Sequence, residues 1–292
     1  MIRAIFAVVL AFSSLATAQE TLRPALETTY NLWRQAILRK DPTQWERSTA
    51  TYRRVEVRNR ILSERRAFPA AIFDIPAAPP AIEGLKFLEA NQEGATAKAS
   101  YFGKVDFQVG EVPTENLLVL SFIREGNTWL YDRADYVNLE GLPDVRKELA
   151  AGDLSYLKET PEARPSGIVP QTPVAAQLAK IIAKVYVFCP GREVQVQINK
   201  ISRHRFANAK EAEIVIGGAK EGPNEVQFTV KKLEGGKGTE AMTIRVYLFS
   251  EVDGVKPVKA FEYQIQEGGT PKDFGTEIFT VDAAMIRQIT AK

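Results

Sequence analysis

"GATAKASYFGKVDFQVG", residues Gly94–Gly110, decides how this chain is read. Ala95, Ala97, Ala99, Tyr101, Gly103, Val105, Phe107 and Val109 fall on one side of an extended backbone. Thr96, Lys98, Ser100, Phe102, Lys104, Asp106 and Gln108 fall on the other. Alternation of period two over such a length predicts a long strand with one covered face. The alanines on that face let a helix approach closely, and Gly103 marks where the strand is expected to bend or bulge.

Working outward, Leu22, Ala25, Leu26, Thr29, Tyr30, Trp33, Ala36 and Ile37 recur at the spacing of one helical face. Asp41 is placed to cap a second helix whose first turn holds Pro42. A third helix is expected over Thr51–Glu64, with Val55, Arg58 and Leu62 on one stripe. Phe68-Pro69 and the proline-rich Ile75–Pro80 close the helical part. Downstream, "NLLVLSFI" (Asn116–Ile123), the turn "REGN" and "TWLYDRADYV" (Thr128–Val137) read as a hairpin. The expected fold class is α+β: N-terminal helices packed on a curved antiparallel sheet, cone-like, followed by an all-β sandwich.

The order of these elements, with "LWRQAILRKDPTQW" (Leu32–Trp45) at the opening and "EGNTWLYDR" (Glu125–Arg133) near the end, resembles the nuclear-transport-factor-two-like superfamily and its SnoaL-like members. The likeness spans residues 22–139. It implies a cone whose mouth holds a small molecule. Members of that superfamily include enzymes, binding modules and dimerisation domains, so activity must be argued from residues. Trp33, Tyr101, Phe107, Trp129 and Tyr131 are the candidate ligand-binding set, with core packing as the plainer reading. An enzyme of this shape needs a buried acid or histidine base, and this half holds no histidine. Asp132 or Asp135 with Tyr101 would serve a cyclase- or isomerase-like enzyme, although exposed strand-end charge is the simpler reading of both aspartates. No catalytic residue is assigned. The resemblance also admits a homodimer through the N-terminal sheet, which would make the chain a structural dimerisation protein of the cell envelope.

Residues 1–18, "MIRAIFAVVLAFSSLATA", have a positive start at Arg3, an apolar run and small residues at the end. That pattern predicts a signal peptide cleaved near Ala18 and export to the periplasm or medium. With 38 basic and 36 acidic side chains the balance gives no general attraction to nucleic acid, and no later apolar run predicts a membrane span. The single cysteine, Cys189, cannot close an internal disulfide and is read as a small buried hydrophobe.

"PDVRKELAAGD" (Pro143–Asp153) reads as a short helix stopped by Gly152. The prolines at 161, 165, 170 and 173 then mark a stiff linker. The organisation expected is a signal peptide at 1–18, the cone-like domain at 19–158, the Pro-rich linker at 159–173 and a β-sandwich at 174–292. Seven alternating segments after the linker, from "AKVYVF" to "GTEIFTV", support the sandwich. "KEGPNEVQFTV" resembles the turn before a strand in accessory sandwich domains of exported bacterial proteins. The only histidine, His204, sits in "KISRHRFANAK", read as a solvated loop. Its neighbours lack metal-ligand spacing, so no metal and no cofactor are assigned. Lys200, Arg203, His204, Arg205 and Lys210 form a candidate contact for an anionic surface. The function expected is an exported, non-catalytic protein that binds a small ligand or an envelope protein partner through its first half, with the sandwich as binding or spacing module.

Overall fold

The structure, a computed structural model, describes residues 22–105 and 113–290. The expected signal peptide, Asp106 and Phe107 lie outside them. Two compact units divide the described chain. The first takes the residues up to Arg54 together with Ile72–Thr172; the second takes Val55–Ala71 and Pro173 onward.

The expected fold class is overturned. The chain is mostly β, with three four-stranded antiparallel sheets among the described residues. There is no distinct helix-packed cone followed by a sandwich.

The first unit opens with helix α1 (residues 22–39), α2 (Pro42–Ser48) and the start of α3 (Thr51–Ser63). Asp41 caps α2, its carboxylate accepting from the amides of Thr43 and Gln44, and Pro42 fills the first turn where no amide is needed. The first sheet has the order β1-β2-β3-β4, from β1 (Lys86–Glu93), β2 (Thr96–Val105), β3 (Thr114–Glu125) and β4 (Thr128–Asn138).

Ala97, Ala99 and Tyr101 are buried in one cluster with Leu26 and Tyr30 of α1, as the small side chains allow. The opposite face is covered as well, and this is why no open cone forms. Phe102, Leu117 and Val119 pack with Leu139, with Leu149 of α4 (Pro143–Ala151) and with Leu157 of α5 (Ser155–Glu159). Burial runs without a break from Asn116 to Ile123 of β3. The stretch read as a linker is anchored: Ala163 is buried in that second cluster, and the Gly167 amide donates to Thr96 Oγ1.

Gly103 makes no bulge in its strand; it pairs in register with Asn116. The irregularities lie between Phe87 and Glu89 on β1 and opposite Ser121/Phe122, where Asp132 is an extra residue on β4.

The second unit holds two sheets, of order β11-β10-β5-β8 and β12-β9-β6-β7. Their strands are β5 (Ile182–Phe188), β6 (Arg192–Ile198), β7 (Ser202–Ala207), β8 (Lys210–Ile214), β9 (Gly222–Lys232), β10 (Met242–Phe249), β11 (Val258–Ile265) and β12 (Phe274–Val281). Inward rows from both sheets share one core. It includes Val185, Val187, Val194, Val196, Val226, Phe228, Ile244 and Val246. Cys189 is fully buried in it and free. Helix α6 (Ala283–Thr290) closes the chain and adds Ile289 to that core. No helix among the described residues is long and apolar enough to cross a membrane.

Candidate functional site

Tyr30 and Trp33 stand one turn apart on α1, so they share a face. Their rings stack at 5.8 Å between centroids, and Trp33 lies 4.1 Å from the ring of Tyr131 on β4. Beside them the proline-rich segment is pinned by two bonds. The Tyr30 hydroxyl donates to the Pro80 carbonyl at 2.7 Å, and Arg34 Nε donates to the Pro79 carbonyl at 2.8 Å. Between this segment and the rings lies a cavity of about 430 Å³ lined by Tyr30, Trp33, Ile75–Pro80, Tyr131 and Tyr136.

The cavity wall offers no carboxylate, amine or imidazole. Its only ionisable groups are phenols, and burial keeps them neutral. The Tyr30 and Tyr131 hydroxyls are pushed well above the usual tyrosine range, and Tyr136 is pushed up to about 12.

Of the expected ligand set, the structure brings Trp33 and Tyr131 together here. Tyr101 faces α1 instead, buried against Phe87, with its hydroxyl donating to Glu27 at 3.1 Å. Trp129 sits at the β3–β4 hairpin under the guanidinium of Arg124. Tyr30, Tyr136 and the Ile75–Pro80 wall were missed. The bulge explains Tyr136. Strict alternation along β4 puts Arg133 and Asp135 on Tyr131's face; the extra residue at Asp132 shifts the parity and puts Ala134 and Tyr136 there.

The aspartates are not the exposed strand-end charges that the sequence suggests, and they are not assembled with Tyr101. Asp132 is 8% exposed and takes a bond from Arg53 Nε at 3.0 Å. Asp135 lies 3.5 Å from Lys98 Nζ and 3.3 Å from Arg133 Nε. Lys98 also donates to Ser121 Oγ at 2.7 Å. Burial holds the Lys98 ammonium below the usual lysine range, and the nearby Asp135 offsets this only in part.

The loop reading of His204 is also corrected. It lies inside β7, 7% exposed, opposite Val196. Arg203 and Arg205 point outward from the same strand, and Arg205 is bound to Glu193 at 2.6 Å. Lys200 is in the preceding turn, and Lys210 opens β8 in the other sheet. The five residues therefore do not share one face. Among the described residues no group of three His, Cys, Asp or Glu is placed to hold a metal ion.

No family model, no curated protein and no solved structure matches this chain, and none of these comparisons bears on the resemblance of residues 22–139. The functional reading rests on the geometry.

Proposed function

We propose that this chain is an exported, non-catalytic binding protein whose first unit takes a small, uncharged, largely apolar ligand with a flat aromatic or alicyclic body. The observation that carries this reading is the aromatic cavity. Its volume of about 430 Å³ falls in the range of small-molecule sites, and three tyrosines and a tryptophan converge on it. Flat rings give a ligand large contact area at low conformational cost. The absence of an acid or base from the wall supports binding without chemistry. The two sheets of the second unit, sharing one core, are consistent with a β-sandwich serving as a binding or spacing module. Export rests on the residue pattern of the first eighteen positions.

The test is binding of the neutral probe N-phenyl-1-naphthylamine, followed by its fluorescence. Trp33→Ala is expected to weaken binding by about tenfold or more, the scale of one lost aromatic contact. Trp45→Phe, outside the cavity, is the matched control. Equal binding by Trp33→Ala and the unaltered chain rejects the site. Export is read separately, from N-terminal sequencing of the chain recovered from the exported fraction of a bacterial host. A start at Gln19 is expected, and a retained Met1 rejects it.

A further inference from the structure

On the face of β2–β4 turned away from α1 there is a second cavity, of about 310 Å³, bordered on its other side by residues of the 161–170 segment. The Gly167–Thr96 hydrogen bond holds that segment at 2.9 Å, so the wall is built rather than draped. Lys98 lines the cavity with its side chain only 11% exposed, beside Ser121, which is 5% exposed.

The carboxylates around it are already engaged. Asp132 is bound by Arg53, and Asp135 is shared between Lys98 and Arg133. On the facing segment Arg164 makes no ion pair among the described residues, and Glu162 adds one negative charge. Three cations line the cavity (Lys98, Arg133 and Arg164); the first two share Asp135, so Arg164 is the one with no ion pair among the described residues. An anion entering beside it and Lys98 gains charge-assisted bonds from both. Burial holds the ammonium of Lys98 below the usual lysine range, which Asp135 only partly offsets. The remaining lining mixes Thr96, Ser121 and Ser166 with apolar Tyr52, Ala97, Phe122, Ile123, two prolines and the largely exposed Ile168.

We propose that this cavity binds a small organic monocarboxylate, its carboxylate at Lys98, Arg133 and Arg164 and its short apolar tail against Tyr52, Ile123 and Ile168. The site is independent of the aromatic cavity, and each stands or falls alone.

Titration calorimetry of the whole chain with hexanoate and its neutral isostere hexanamide tests it. Hexanoate should bind, and hexanamide should bind about tenfold more weakly or worse, the cost of one lost charge-assisted contact. Lys98→Met should lose hexanoate binding while far-ultraviolet dichroism stays unchanged. Arg164→Gln, at an exposed position, should weaken it several-fold. Should Lys98→Met fail to fold, hexanamide and Arg164→Gln decide. Equal affinity for hexanamide, undiminished affinity in Arg164→Gln, inorganic phosphate binding as tightly as hexanoate, or no heat with hexanoate would each overturn the proposal.

Discussion

His204 is held at both ring nitrogens. Nδ1 lies 2.6 Å from Glu213 Oε2, and Nε2 lies 2.7 Å from Ser202 Oγ. The Ser202 hydroxyl also accepts the Ile216 amide at 2.7 Å, so the imidazole, the hydroxyl and that amide form one network. From the sequence, His204→Ala is expected to be harmless, because the residue reads as part of a loop. The structure reverses that expectation. Truncation leaves the buried Ser202 hydroxyl without its imidazole partner and opens space beside Phe206, whose ring stacks on the imidazole at 6.1 Å. His204→Ala should lower stability by about 1–3 kcal/mol. Urea unfolding would show this as a lower midpoint at unchanged slope; a midpoint equal to that of the unaltered chain would place the histidine outside the core network.

At the scale of elements, β12 shows how closely an edge strand can be fitted. Gly275 pairs with Phe228 on β9, and a Cβ there would run into the Phe228 ring. Gly275→Ala should cost about 1–3 kcal/mol from overpacking. Thr276→Ala, next in the strand and on the other side, should stay within about 0.5 kcal/mol. Comparable losses from both would mean that β12 is not docked as described.

Most elements were legible where apolar period and caps agreed: α2 behind Asp41, α4 before Gly152, the β3–β4 hairpin and the alternating strands of the second unit. β7 was missed although Ser202, His204 and Phe206 alternate with Arg203 and Arg205. Two of its three inward positions are polar, and they are satisfied by each other, by Glu213 and by the Ile216 amide. β1 was missed as a polar edge strand with a single fully buried residue, Ala90. α6 was missed although Asp282 accepts the Met285 amide at its start. Half of the aromatic site was hidden by one inserted residue, since nothing in "YDRADY" announces a bulge at Asp132. The second cavity was hidden because its charged groups converge from β2, β4 and a segment that reads as a linker.

At the scale of the whole molecule, the two units should fail at opposite ends of the pH range. In the second unit Glu193 is pulled down to about 2 by Arg205 and Gln195, Glu240 is lowered by backbone amides, and Glu262 by Lys259 and Arg245. A carboxylate held lower in the folded than in the unfolded chain stabilises above its unfolded value of about 4.5 and loses that contribution as pH falls toward 2. Among its described residues the first unit has one such group, Asp153, lowered by Ser155. Its weight lies on the alkaline side. Burial raises the phenols of Tyr30, Tyr101, Tyr131 and Tyr136, so the folded first unit keeps its stability below pH about 10 and loses it as pH climbs through the raised values. Among its described residues the second unit has there the buried thiol of Cys189 and, above the usual arginine range, Arg205 and Arg245. All three tryptophans, Trp33, Trp45 and Trp129, belong to the first unit, so their emission reports it alone. On acidification far-ultraviolet dichroism should change before tryptophan emission does. Above pH about 10 the emission should shift together with a cooperative rise in tyrosinate absorbance. Tryptophan emission changing first in acid would mean that the charges and phenols named here do not govern where each unit comes apart.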